Sequence, residues 1–313
     1  MRAKVKPPVI CVMGPTASGK TGLAVALRES FPVDIINVDS ALVYRDMNIG
    51  TAKPDPELLA SVPHHLIDII DPVDAYSVWD FVEQSRQLVE EICRRGRIPL
   101  LAGGTMMYFH AFEQGLNRLP AADPTLRKRL DREIRESGLT VMHQRLERID
   151  PVSASRIKAT DSQRIQRALE VFELSGKPLS QLQRQETSGF AGEVEKIILA
   201  ASDRKLLHQR IQSRFLEMLE QGFIEEVEGL RLRSELNLSL PSMRCVGYRQ
   251  LWQYLDGEFT REEMIDKAVA ATRQLAKRQI TWLRKQSAGT TYDCLNYRKD
   301  AIFRQVEAAT KRL

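Results

Sequence analysis

The sequence predicts an α/β fold, a P-loop NTPase-like parallel sheet core that carries a helical insertion domain. Three observations lead to it. Short β-branched apolar runs alternate with helical patterns through the first third of the chain, and a glycine-rich turn joins the first such run to the first helix. From about Pro120 the texture changes to short, highly charged helices, and no strand signal returns until Val194.

Val9-Ile10-Cys11-Val12-Met13 is the apolar run of a buried parallel strand, and a helix is read from Thr21 to Leu27. Asp34 to Val38 is a second strand ending at Asp39-Ser40. Ile98 to Ala102 is a third, ending at Gly103-Gly104-Thr105, and between the two Val78 to Arg95 shows helical spacing in Phe81, Leu88 and Ile92. Ligands of such sheets gather at the strands' carboxyl ends, where Gly14, Asp39 and Thr105 lie. In the insertion, Asp123-Pro124 is an N-cap followed by proline at the first helical position, and Leu126, Leu130 and Ile134 form an apolar stripe behind it. Asp150-Pro151 opens another helix, and Asp161 a third that Gly176-Lys177-Pro178 closes. The insertion is read as residues 119–191, leaving 1–118 and 192–313 as the core with its C-terminal helices. The sheet resumes at Val194 to Ala200, and the remainder is read as helical: Lys205 to Arg231, then Arg261 to Lys285, with an irregular glycine-containing link around Pro241 to Tyr248.

The 313 residues are 43% hydrophobic and 28% charged, the composition of a packed globular chain rather than a disordered one. Four cysteines stand far apart, without C-x-x-C or zinc spacing. The basic start from Met1 to Pro8 precedes an apolar run too short for a signal peptide, and no span approaches the roughly 18 apolar residues of a membrane helix. A cytoplasmic protein is expected. With 46 Lys+Arg against 41 Asp+Glu, a net charge of +5 is a weak field, so any polyanion must be held by local clusters.

Gly14-Pro15-Thr16-Ala17-Ser18-Gly19-Lys20-Thr21 fits G-x-x-x-x-G-K-[ST] between strand and helix, the context of a phosphate-binding loop. Its backbone amides converge on phosphate oxygens, Lys20 supplies a point charge, and the Thr21 hydroxyl suits Mg²⁺. Asp39, taken alone, reads first as a metal-supporting carboxylate, with an N-cap as the alternative.

The residues after it are more specific. Val38 to Pro54, Pro63-His64-His65-Leu66-Ile67-Asp68, Gly103 to Tyr108, Arg164 to Lys177, Arg244 to Gln250 and Thr272 to Arg284, read with the loop, resemble the bacterial-type tRNA dimethylallyltransferases, also called isopentenyl-diphosphate:tRNA transferases. The resemblance spans roughly residues 9–285. It implies transfer of a dimethylallyl group from dimethylallyl diphosphate to N6 of the adenosine at position 37 of tRNA, with release of diphosphate. Asp39 matches the family's general base and Thr105 the threonine that binds the leaving group or orients the base. Gly14, Thr16, Ala17, Ser18, Gly19, Lys20 and Thr21 match its diphosphate loop, with Mg²⁺ as cofactor. Arg210 and Arg214 lie four apart on one helix, and the likeness favours Arg214 as the phosphate ligand.

For tRNA, the likeness points to Asp39, Ser40, Ala41 and Leu42, to Arg127, Gln163, Arg164, Gln166 and Arg167 in the insertion, and to Arg244, Gly247, Tyr248 and Arg249. The anticodon stem-loop would be gripped by insertion and core, and the target base unstacked into a pocket. Lys277, Arg278, Thr281 and Arg284 fall in a stretch, 271–285, that contains no acid; Lys277, Thr281 and Arg284 share one helical face, which serves either as an RNA contact or as a solvated surface. Ala41-Leu42, Asp46 and Asn48 depart from the commoner family residues. The Cys/His zinc module of eukaryotic members is absent, and a monomer without membrane contact is expected. His64-His65 lacks the spacing of a metal site. Two rivals use the same loop differently: a small-molecule kinase would bind ATP there, and a non-catalytic RNA-binding module would keep it as a relic.

Overall fold

The computed structural model describes residues 8–184, 187–286 and 288–311; most of the basic start, residues 1–7, lies outside them. Strands β1 (Val9–Met13), β2 (Val33–Val38), β3 (His64–His65), β4 (Ile98–Gly103), β5 (Val194–Ala200) and β6 (Thr290–Asp293) form one sheet in the order β3-β2-β4-β1-β5-β6. Every pairing is parallel. The central strand β1 is wholly buried, as its unbroken apolar run requires.

Register sets the function-bearing turns side by side. Gly103 pairs with Met13 on one flank and with Val38 on the other. The next residues of the three strands, Gly14, Asp39 and Gly104, therefore leave the sheet at one level. The order also places this edge where the chain steps to opposite sides of β1, the crevice in which open α/β sheets bind ligands.

Around the sheet and after it run α1 (Lys20–Ser30), α2 (Pro56–Ser61), α3 (Val78–Arg94) and α4 (Met106–Gln114). The chain then enters a separate compact unit, residues 114–189, built from α5 (Pro124–Ser137), α6 (Leu139–Ile149), α7 (Pro151–Arg156), α8 (Ser162–Ser175) and α9 (Leu179–Leu182). Asp123, Asp150 and Asp161 cap α5, α7 and α8 through their side chains, and Gly176 closes α8 in the left-handed region. Its core is a cluster around Leu130, Leu146, Ile165 and Leu169. The division falls at 113/114 and 189/190. The chain leaves and re-enters the first unit at adjacent points, since Phe190 N donates to Glu113 O at 3.0 Å and the rings of Phe112 and Phe190 stack at 4.8 Å.

The first unit is completed by α10 (Arg204–Glu220), α11 (Phe223–Arg231), α12 (Tyr248–Leu255), α13 (Arg261–Leu283) and α14 (Lys299–Thr310). Three details correct the sequence reading. The helix read from Lys205 to Arg231 is two helices, because Gly222 at φ 97° ends the first and starts the second. The C-terminal remainder is not all helical: β6 forms the sheet's edge, a short polar strand whose pattern carries no core signal. Gly138 at φ 82° separates α5 from α6, a helix the sequence reading left unassigned. A second core, under Phe215, Phe223, Tyr248 and Leu251, binds α10 to α13 together beside the strand ends.

Candidate active site

The phosphate loop takes its shape from two left-handed residues, Ala17 at φ 62° and Gly19 at φ 79°, which turn its amides inward. Gly14 is required by space: a Cβ there would stand 2.7 Å from Ser18 Oγ and 2.9 Å from Leu199 O. Lys20 Nζ donates to Pro15 O at 2.8 Å, and Arg214 from α10 donates to Thr16 Oγ1. The Ser18 hydroxyl is buried and has no hydrogen-bond partner among the described residues.

Burial pushes the Lys20 ammonium down to about 8, with Asp39 opposing and Arg214 adding to the fall. Burial likewise lowers Arg214, while Asp39 supports its charge. Among the described residues, neither cation has a carboxylate within ion-pair distance. Burying unpaired charge is costly, so the site is built to be completed by an anion.

Beside the loop, the Gly103-Gly104-Thr105 turn is sewn to the end of β2. Gly104 N and Thr105 N donate to Val38 O at 3.2 and 3.1 Å, and a Cβ on Gly103 would lie 2.0 Å from the same oxygen. Thr105 Oγ1 accepts Ser40 N at 3.1 Å, and Asp39 Oδ1 accepts Ala41 N at 2.9 Å. Asp39 and Thr105 are thereby held next to one another by backbone contacts rather than by a shared proton.

These turns open on a cavity of about 600 Å³. Thr16, Lys20, Thr21, Asp39, Thr105 and Arg214 line its polar part, and Ile211, Phe215, Met218, Phe223 and Trp282 are among its apolar walls. A cavity lined by both cations and hydrocarbon suits a ligand with a phosphate head and a short apolar tail. Thr21 and Asp39 share it, and the described residues contain no group of three His, Cys, Asp or Glu placed to hold a metal. One or two protein oxygens, with phosphates and water, is the donor set that Mg²⁺ takes, so these residues fit the ion.

The other candidates separate by burial. Ala41, Leu42, Arg244, Gly247 and Arg278 line the cavity with Ser40. Gly247 turns the chain at φ 93° into α12, and its N–H donates to Gln250 Oε1. Arg244, Arg249, Lys277, Arg278, Thr281 and Arg284 are exposed. Tyr248 is a correction: its ring is fully buried in the second core and its hydroxyl donates to Glu226, so it offers RNA no surface. In the helical unit, Gln163 and Arg164 are exposed. Arg127 and Arg167 instead converge on the fully buried carboxylate of Glu170, and Gln166 donates to Asp131 and to Arg127 O. These three are committed first to the unit's own structure. Arg210 donates to Cys294 O, whereas Arg214 reaches the loop itself. His64 Nδ1 is 2.7 Å from Val62 O, and burial lowers the affinity of both His64 and His65 for a proton. Cys11 and Cys294 are buried, and Cys245, on the cavity wall, is pushed up to about 12 by burial and by Asp39.

Two residues escaped the sequence reading. Gln279 of α13 bridges the phosphate loop and the Gly104 turn. Glu226 of α11 accepts the N–H groups of Asn48, Ile49 and Gly50 at 2.9, 2.7 and 3.2 Å, fixing the loop whose residues Gly50, Thr51 and Ala52 form another cavity wall. The only trace of this in sequence is Gly50, where a Cβ would meet the Phe223 ring at 2.1 Å.

Residues 42–286 match the model of the family described as IPP transferase. The chain is 53% identical over 309 residues to a tRNA dimethylallyltransferase of Burkholderia cenocepacia, covering 97% of this chain and 95% of that protein. A second tRNA dimethylallyltransferase, from a Janthinobacterium species, is 52% identical over 98% of this chain and 99% of its own. Among solved structures, the full-length tRNA isopentenylpyrophosphate transferase of Bacillus halodurans aligns with a TM-score of 0.70 at 35% identity, covering 98% and 99% of the two chains. A eukaryotic dimethylallyltransferase caught acting on tRNA aligns with a TM-score of 0.77 at 25% identity, over 92% of this chain and 74% of its own.

Proposed function

The chain belongs to the IPP transferase family, enzymes that transfer a dimethylallyl group to tRNA, and from that premise we propose how its residues divide the reaction. The donor is dimethylallyl diphosphate and the acceptor is N6 of the adenosine at position 37 in the anticodon loop. The observation that carries this reading is the cavity itself, lined by two half-buried cations that have no ion-pair partner among the described residues, by apolar side chains and by Asp39.

In this reading Lys20, Arg214 and the amides of residues 17–21 hold the diphosphate. As N6 attacks the first carbon of the allyl group, the C–O bond breaks and its electron pair departs on diphosphate, where the fixed cations meet the growing charge. Asp39 accepts the proton that N6 sheds, and the Thr105 hydroxyl, anchored at Ser40, orients the base or the leaving group. A Mg²⁺ held by the Thr21 hydroxyl and phosphate oxygens would supply further charge neutralisation at the diphosphate.

Ser40, Ala41, Leu42, Arg244 and Gly247 at the cavity, exposed Arg249, the Lys277, Arg278, Thr281 and Arg284 face, and Gln163 and Arg164 of the helical unit are proposed to contact the RNA. Arg127, Gln166 and Arg167 contribute by ordering that unit. Among the described residues no helix is long and apolar enough to cross a membrane, and a cytoplasmic monomer is the proposed working form. The test is release of diphosphate from dimethylallyl diphosphate. Release that requires tRNA and proceeds without ATP supports the reading; an absolute need for ATP or a phosphorylated product would return the loop to a kinase.

A further inference from the structure

We infer that Gln279 is a positioning residue that locks the phosphate loop to the Gly103-Gly104-Thr105 turn, and so fixes the leaving group's distance from the base. Its side chain is buried beneath α13, with Oε1 accepting Thr16 N at 2.9 Å and Nε2 donating to Gly104 O at 2.9 Å. One partner is a donor and the other an acceptor, so only a neutral primary amide of this length satisfies both. A glutamate could accept from Thr16 but would set its second oxygen against the Gly104 carbonyl.

The contact also explains Gly104. A Cβ at that position would lie 2.5 Å from Gln279 Nε2, so the second glycine of the turn is the space through which the amide reaches its carbonyl. At one end of the bridge is Thr16, whose hydroxyl Arg214 binds. At the other is the turn that presents Thr105 to Ser40, next to Asp39. The strands bring these turns to one level, but the loop and the turn extend beyond the sheet's own hydrogen bonds. Gln279 supplies the cross-link there.

The kinetic arm of the test rests on the prenyl-transfer reading, and a second arm does not. Gln279→Met keeps the side chain's volume and removes both bonds, and Gln279→Glu keeps one. Both should lower the single-turnover rate with both substrates saturating, Gln279→Met by about 10²-fold, the cost of a misplacement of about 1 Å. The Kd for inorganic diphosphate and the KM for tRNA should stay within about twofold, because neither ligand's own contacts are removed. A melting curve lowered with an unchanged saturated rate would make Gln279 merely structural, and a loss confined to Kd or KM would make it a ligand contact; either overturns the inference.

Amide hydrogen exchange with inorganic diphosphate alone reads the coupling directly. Protection should appear in residues 14–21 of all three proteins and extend to residues 103–105 only in the wild type. Protection reaching 103–105 equally in the variants would overturn the inference even if no prenyl transfer were found. Should Gln279→Met fail to fold, Gln279→Glu gives both readouts. Absence of transfer by the wild type would count against the proposed function, and the exchange result would still decide the coupling.

Discussion

Lys20 and Arg214 bring positive charge into the cavity, and its affinity for anions depends on both staying protonated. Lys20 is the weaker of the two, since burial brings it down to about 8 against the help of Asp39. Diphosphate prefers the ammonium form. Affinity for dimethylallyl diphosphate should therefore hold steady below pH 8 and fall as the pH rises through it. Lys20→Arg should remove that alkaline limb, and the check is the KM measured across pH for both proteins. Asp39 acts on a different quantity. Asp39→Ala should lower the single-turnover rate by about 10²–10⁴-fold, the worth of a general base, with inorganic diphosphate still bound. A near-normal rate would reassign Asp39 to its Ala41 turn alone. These residues were legible in sequence because each sits in a contiguous motif at a strand end. Gln279 and Glu226 were not, because their partners lie 263 and 177 positions away. Tyr248 misled for the opposite reason: it adjoins the exposed Arg249, yet the entry into α12 turns its ring into the core.

Helix α11 stabilises the site through the loop of residues 48–50. Its Glu226 carboxylate gathers three consecutive backbone N–H groups and the Tyr248 hydroxyl, so Glu226→Ala leaves four donors without their acceptor. The loss should be about 2 kcal/mol or more, given the worth of hydrogen bonds to a charged group, and a shifted denaturation midpoint would show it. Gly50→Ala should act on the same wall by overpacking, because its Cβ would enter the Phe223 ring. Strands β1, β2, β4 and β5 could be read from apolar runs alone. β3 and β6 have two and four residues, none of them fully buried, so their pairing is decided by the neighbouring strand rather than by their own pattern.

For the whole molecule, a net charge of +5 leaves RNA affinity to local clusters. Each phosphate neutralised by a side chain releases counterion, so the slope of log affinity against log salt shrinks by about 0.7–0.9 for every phosphate that a substitution leaves unneutralised. Lys277→Ala with Arg284→Ala should weaken tRNA binding and flatten that slope, with diphosphate affinity kept. Arg164→Ala, on the helical unit, should do the same on a smaller scale. Arg167→Ala should instead destabilise that unit first, because Arg167 is paired to buried Glu170. An unchanged slope in the double variant would mean that the α13 face is only solvated.

If the phosphate loop holds a leaving group and Asp39 receives the proton of the attacking amine, one incubation reads both roles together. The protein is supplied with labelled dimethylallyl diphosphate and bulk tRNA without ATP, and the RNA is then digested in part to oligonucleotides, which give the position, and in part to nucleosides, which give the modified atom. Label should appear in N6-dimethylallyladenosine from position 37, formed by the wild type and almost abolished by Asp39→Ala. Label in no nucleoside, label on another atom or position, or equal yield from Asp39→Ala would refute that division of roles.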